Sequence, residues 1–319
     1  MRESAGPRFA YWPRYVMPLV ALLVLAAAGW LLRARYMRAM NDFSMRHRRL
    51  GADGVVIGGE GFVLHREGAP AVLLLHGGGD TPQTLRYLSA GLHEHGFHVV
   101  APLLPGHGRQ LRDFARVTAD DLIEATRSQY AQLRADHEWV GVIGVSMGGA
   151  LAVLLAADSS DLPALGLVAP YLAMPAHIER AARWSWLWGP MMPVIRSADG
   201  LSVIDPVERE RSLAYGVFTA KGLRALYALV SRARAVLPRV QAPTLMLQSR
   251  QDNRISISDG EQAFAMLGAR EKRLEWISGA AHVITVDFGR ERVIEALVSW
   301  MQDHCIKRSR DPQGTHQLP

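Results

Sequence analysis

The chain has 319 residues, 49% of them hydrophobic and 21% charged, which excludes general disorder and leaves ample material for a buried core. Its only cysteine, Cys305, rules out an intramolecular disulfide and a Cys-ligated zinc finger. The 36 basic against 30 acidic residues give +6, a balance that suggests anionic lipid or nucleic acid until its location is known.

The first element is Tyr15–Leu32, YVMPLVALLVLAAAGWLL, which carries no charge. At 1.5 Å per residue it is just long enough for a hydrocarbon core of ~30 Å. Tyr15 and Trp30 stand near its ends as interfacial anchors do. The competing reading is a cleaved signal peptide ending at Ala26-Ala27-Ala28. The apolar run continues past that site through Trp30-Leu31-Leu32 into basic residues, which favours a single-pass anchor. Arg2, Arg8 and Arg14 precede the run, while Arg33, Arg35, Arg38, Arg46, Arg48 and Arg49 follow it. The larger basic flank leans towards a cytoplasmic carboxyl side. These nine arginines, against Glu3 and Asp42, hold more than the whole charge excess. They suit membrane lipid headgroups, and the remaining near-neutral chain removes the support for a nucleic-acid partner.

Gly54–Glu67 reads as two short strands around Gly58-Gly59-Glu60-Gly61; no Lys-Ser/Thr follows, so this is not a phosphate loop. Ala71–Leu75 is an apolar run fit for a strand buried on both faces. A helix over Thr81–Glu94 and a strand over His98–Leu104 follow. Thr118, with Asp121 three residues on, caps a helix running to Asp136. Val140–Val145 is a strand, Met147–Ala157 a helix and Ala164–Val168 a strand. Beyond residue 240 come a strand over Thr244–Gln248, a helix over Ile257–Leu267, a strand over Arg273–Ile277 and a helix over Arg290–Gln302. Such alternation predicts an α/β fold with a largely parallel sheet covered on both faces.

The rhythm breaks between Pro170 and Val240, which predicts an insertion over the sheet's carboxyl edge. The expected divisions are a tail at 1–14, a membrane anchor at 15–32 and a basic linker at 33–53. A core at 54–170 and 241–304 then encloses a helical cap at 171–240, and a disordered tail occupies 305–319.

Gly144-Val145-Ser146-Met147-Gly148 is a G-x-S-x-G between a strand and a helix, where a strained turn would hold the Ser146 hydroxyl out of the sheet. Glycines are needed there because Cβ atoms would collide with the neighbouring strand and helix. A hydroxyl needs a base, and the base an orienting acid. Asp252 follows the TLMLQ strand and His282 follows the next one. The order Ser146, Asp252, His282 is that of the nucleophile-elbow fold. Backbone donors for an oxyanion are expected from Met147 and from Gly78 in the loop His76-Gly77-Gly78-Gly79; His76 and His107 read as structural. His93, His95 and His98 straddle a helix end and a strand start, so no metal site is expected. Trp184 and Trp188 share one helical face and are candidates for packing the cap or binding an acyl chain.

LLLHGGG, APLLPGHGR, GVSMGG, the Asp after the penultimate strand and SGAAHV together make the chain resemble the α/β-hydrolase superfamily. Within it, the chain is similar to the monoacylglycerol lipase, lysophospholipase and carboxylesterase group, over about Ala71–Gln302. One departure is that Gly106-His107-Gly108 is followed by Arg109-Gln110 rather than by x-Ser. The resemblance implies a serine esterase with a helical cap, no metal and no organic cofactor; an ester with an apolar acyl chain is the expected substrate. A thioesterase, peptidase or acyltransferase would keep the same triad, and a silent binding module would keep the fold without the chemistry.

Overall fold

The computed structural model describes residues 16–197 and 202–310. The expected tail at 1–14, Tyr15 of the anchor, the three leading arginines and 311–319 lie outside the described residues. The strands are β1 (Phe62–Leu64), β2 (Ala71–Leu75), β3 (His98–Ala101), β4 (Val140–Val145), β5 (Leu165–Val168), β6 (Val194–Arg196), β7 (Val217–Thr219), β8 (Thr244–Ser249) and β9 (Lys272–Ile277). The helices are α1 (Val16–Ser44), α2 (Arg86–Glu94), α3 (Leu111–Phe114), α4 (Ala119–Asp136), α5 (Met147–Asp158), α6 (Ala176–Arg183), α7 (Ser185–Trp188), α8 (Pro206–Arg211), α9 (Ala220–Val236), α10 (Ile257–Met266) and α11 (Arg290–Arg310).

Among the described residues one seven-stranded sheet runs in the order β1-β3-β2-β4-β5-β8-β9, with β1 alone antiparallel. β2, β3, β4, β5 and β8 are buried along their whole length, as expected of the largely apolar strands of a sheet covered on both faces. Their side chains alternate between two cores. Leu73 and Leu75 pack with Ile123, Leu151 and Leu229 under α4, α5 and α9. Val72 and Leu74 pack with Leu88, Leu92, Val293 and Leu297 under α2 and α11. Because the six other strands are parallel, their carboxyl ends share one edge, and the loops leaving β2, β4, β8 and β9 meet there.

Between β5 and β8 lie α6, α7, the antiparallel pair β6–β7, α8 and α9. The pair β6–β7 also receives α1, whose Tyr36, Met37, Met40 and Phe43 pack with Leu111, Val194, Tyr215 and Val217. Along the first half of α1, Met17 to Leu32 are exposed throughout.

Several elements depart from the sequence expectation. The stretch 33–53, expected as a linker, is helical to Ser44, because no Gly or Pro interrupts the chain between Gly29 and Gly51. Of the two strands expected over 54–67 only β1 forms. The earlier stretch makes a single bridge, Leu50 to Val56, since Gly54 and Gly58 take positive φ in turns. A 3-10 turn at Pro82–Leu85 precedes α2. β3 stops at Ala101, before Pro102, which has no N–H to offer a ladder. α11 continues past the expected end at Gln302, through the first residues of the expected tail, to Arg310, two residues short of Pro312.

Candidate active site

Ser146 stands between β4 and α5 at φ 53 and ψ −115, a conformation that L-residues seldom take and that costs on the order of 1–3 kcal/mol. The turn closes only because its flanks are glycine. A Cβ on Gly144 would overlap the backbone of Gly148, and one on Gly148 would overlap the Leu75 carbonyl of β2. The turn is held by the Ser146 N–H, which donates to Val168 O at 2.9 Å, and by the Tyr171 N–H, which donates to Ser146 O at 2.9 Å.

The Ser146 hydroxyl lies 2.8 Å from His282 Nε2. On its other side the ring meets Asp252, with Nδ1 at 2.9 Å from Oδ2 and 3.0 Å from Oδ1. With Nδ1–H donating to the carboxylate, Nε2 is left to accept from the serine hydroxyl. The Asp252 side chain is wholly enclosed. Burial pushes its carboxyl up. The hydrogen bond and charge of His282 and the amides of Ile255 and Arg254 outweigh that and hold it below the usual carboxylate range. Gln248 Nε2 donates to Oδ2 at 2.8 Å, so both oxygens are occupied. The three residues expected from the sequence therefore form one continuous hydrogen-bonded chain.

Gly78 and Met147 also meet: a Cβ on Gly78 would lie 3.4 Å from Met147 Cβ. Met147 opens α5, where first-turn amides lack intrahelical acceptors and carry the positive end of the helix dipole. Upstream, Leu104 N–H donates to His76 Nε2 at 3.0 Å, which fixes the other ring nitrogen as the donor to Gly77 O at 2.9 Å. Complete burial, and next the neighbouring His107, lower the His76 pKa to about 3, so the ring is neutral and structural.

These groups open onto a cavity of about 240 Å³. Its walls include the apolar side chains of Tyr171, Ile178, Val217, Phe218, Leu223 and Leu226, and the polar ones of Gln83, Arg86, Glu208 and Arg254. Trp184 and Trp188 are not among its lining residues. Trp184 is exposed and tilts against Trp186 with ring centroids 6.3 Å apart, while Trp188 Nε1 donates to Ala181 O at 2.8 Å. His93 and His95 each place Nδ1 against a backbone carbonyl, Phe97 O and Gly91 O. His98 packs its ring on His65 and His137. Among the described residues no group of three His, Cys, Asp or Glu is arranged to hold a metal ion.

Two buried residues that the sequence reading did not single out tie the site to the 171–240 segment. Asp287 accepts from Ala281 N–H (2.7 Å), Ile204 N–H (2.8 Å), Asp205 N–H (2.9 Å) and Phe288 N–H (2.9 Å), locking the His282 loop to the insertion. Tyr215 donates its amide to Gly79 O at 2.9 Å, and its hydroxyl accepts from Arg109 N–H at 2.9 Å. That is where Arg109, the departure noted after Gly106-His107-Gly108, is held. Burial raises the Tyr215 pKa to about 12, so the hydroxyl keeps its proton. The only local signal for either was a polar residue in an otherwise apolar stretch.

The model of the Hydrolase_4 family, described as serine aminopeptidase, S33, matches residues 67–288. The thermostable monoacylglycerol lipase of Bacillus sp. (strain H-257) is 27% identical over 251 residues, covering 79% of this chain and 97% of that one. The carboxylesterase of Bacillus subtilis (strain 168) is 24% identical over 237 residues, covering 74% and 93%. The crystal structure of Paleococcus ferrophilus monoacylglycerol lipase superposes with a TM-score of 0.66 at 23% identity, over 76% of this chain and 98% of that one, a likeness of fold.

Proposed function

The chain belongs to the α/β-hydrolases of the serine aminopeptidase S33 family, and from that premise we propose that it is a membrane-anchored serine esterase. Its substrate is an ester with an apolar acyl chain, of the monoacylglycerol kind. The observation that carries the reading is the unbroken hydrogen-bonded chain Ser146–His282–Asp252, whose Ser146 and His282 line a cavity walled by both apolar and polar side chains.

His282 Nε2 takes the hydroxyl proton as Ser146 Oγ attacks the ester carbonyl. Asp252, ionised and enclosed, holds the ring in the working tautomer and stabilises the imidazolium that forms. The Gly78 and Met147 amides face the developing oxyanion; losing one such donor costs about 3–4 kcal/mol in comparable sites. His282 then returns the proton to the leaving alcohol. Water, activated by the same ring, releases the acyl group from Ser146. No metal or organic cofactor takes part in this scheme.

The acyl chain lies along Ile178, Val217, Leu223 and Leu226, and the alcohol faces Gln83 and Arg86. The two bacterial relatives support an ester substrate by the activities in their names, a monoacylglycerol lipase and a carboxylesterase. The family description raises an aminopeptidase instead. An α-ammonium would need a carboxylate in the cavity; of the two there, Glu208 is already engaged by Arg86, Arg211 and the Tyr87 hydroxyl, and the buried Asp80 accepts from the Thr81 N–H at 2.8 Å. Hydrolysis rates on a long-chain monoacylglycerol and on an aminoacyl p-nitroanilide separate the two. Faster turnover of the anilide would reverse the assignment.

The exposed apolar half of α1 is read as the anchor. It is supported by the helix continuing unbroken through Ala26-Ala27-Ala28 and by its later turns docking on the domain. The arginines after Leu32 favour a cytoplasmic catalytic domain. A reporter fused after Pro319 that is active only outside the cytoplasm would contradict that placement.

A further inference from the structure

Far along the chain from α1, Trp184, Trp186, Leu187, Met191 and Met192 are between 51% and 79% exposed. Five large apolar side chains clustered within nine residues form a ridge of the kind that soluble surfaces seldom leave bare. Arg180 and Arg183, both exposed, flank it on α6.

The anchor supplies the ruler for locating this ridge. α1 is one continuous helix, so its apolar half and its docked half move together. Tyr36 lies four residues past Leu32, about 6 Å along the axis. Its hydroxyl donates to Val194 O at 2.6 Å. Met192 is two residues from Val194, at most about 7 Å of chain. Met40 and Phe43 pack in the same cluster as Val194, Tyr215 and Val217, and Arg196 lies over the Phe43 ring at 4.3 Å, so the joint is broad. The bilayer surface, which on the anchor reading lies near Leu32 and Arg33, therefore falls close to the ridge. Arg33 and Arg35 on α1 and Arg180 on α6, with Arg183 there paired to Glu179, suit anionic headgroups.

We infer that the Trp184–Met192 ridge is a lipid-docking surface that seats in the headgroup boundary of the same bilayer that α1 spans. α6 contributes Ile178 to the cavity wall immediately before the ridge, so the docked domain takes its ester from the membrane rather than from water. This rests on the anchor reading above, and the test separates the two.

Full-length protein carrying Cys305→Ser is reconstituted in phosphatidylcholine–phosphatidylglycerol vesicles with a single environment-sensitive fluorophore at Leu25→Cys, Met191→Cys or Arg270→Cys. Arg270 is exposed next to β9 at the opposite edge of the sheet. Nitroxide lipids labelled at carbon 5 should quench the probe at 191 at least twofold more than the probe at 270, and lipids labelled at carbon 12 should quench the probe at 25. Quenching at 25 with none at 191 would overturn the docking surface and leave the anchor standing. No quenching at 25 would overturn both. Shielding at 191 that follows protein concentration instead of lipid would assign the ridge to a second copy of the chain, which also overturns the inference. As a second readout, Leu187→Gln with Met191→Gln should raise the apparent KM for vesicle-embedded monoacylglycerol about tenfold. Turnover of a short water-soluble ester should be unchanged, and equal effects on both would contradict docking.

Discussion

The α carbon of Gly148 lies so close under the carbonyl of Leu75 that a β carbon there would overlap it. Helix α5 and strand β2 touch at that point, and the contact holds Ser146 at its positive φ. Gly148→Ala must therefore displace backbone, at a cost of about 1–3 kcal/mol or more. The expected outcome is a lower melting temperature and, because the hydroxyl moves relative to His282, a fall in esterase kcat of at least about 100-fold. Thermal denaturation and initial rates on one preparation check both. Unchanged values would mean that the turn is looser than its contacts imply.

Asp252→Asn keeps the size of the side chain but removes the charge facing His282. The expected fall in kcat is about 10⁴-fold with little change in KM, since the imidazole loses its orienting acceptor while the cavity is untouched. The native carboxyl is held below its usual range, so its stabilising contribution is present above pH ~4 and is lost only as pH falls through the lower folded value. An acid limb in kcat/KM near neutral pH is therefore not the titration of Asp252. Direct titration of the Asp252 carboxyl by NMR that placed its protonation near neutral pH would contradict this.

His76 and His107 have pKa values lowered to about 3 and about 4 by burial, and for His76 also by the His107 beside it. Between those values and ~6.5 the unfolded chain binds protons that the folded chain refuses. Stability is thus complete above pH ~6.5 and declines on acidification, by on the order of 1 kcal/mol per pH unit for each ring. The denaturant midpoint should fall between pH 7 and pH 5, and His107→Gln should make that fall shallower. Equal slopes in both proteins would rule out His107 as a contributor.

Asp287→Ala leaves four amides without their acceptor and frees the His282 loop from residues 204 and 205. Leaving a buried amide donor unsatisfied costs about 1–3 kcal/mol. The variant should melt earlier and lose kcat. Asp287→Asn, which keeps part of the acceptor set, should recover part of both. Loss of stability with full kcat would show that the loop needs no such tether.

The central sheet could be read from the sequence because its buried parallel strands are continuous apolar runs; AVLLL and GVIGV leave no other reading at that length. The Ser146, Asp252 and His282 trio could be read because each follows a strand end in the expected chain order, although β9, before His282, is not itself an apolar run. The ties that Asp287 makes to Ile204 and Tyr215 to Arg109 were not legible. Their partners lie 83 and 106 residues apart, and no local pattern signals them. The spacing of Trp184 and Trp188 gave a shared face but not its direction: the four-residue helix α7 leaves Trp184 exposed and engages the Trp188 indole with Ala181. The run of α1 beyond Leu32 was hidden by its arginines, which mark a membrane boundary but do not end a helix.

The measurement that bears most directly on the account is mass-spectrometric mapping of the adduct formed by an alkyl fluorophosphonate on the full-length protein. One adduct per chain on Ser146, formed together with loss of monoacylglycerol hydrolysis and absent in Ser146→Ala, is the predicted result. An adduct on another serine, or ester turnover that persists in Ser146→Ala, would contradict it.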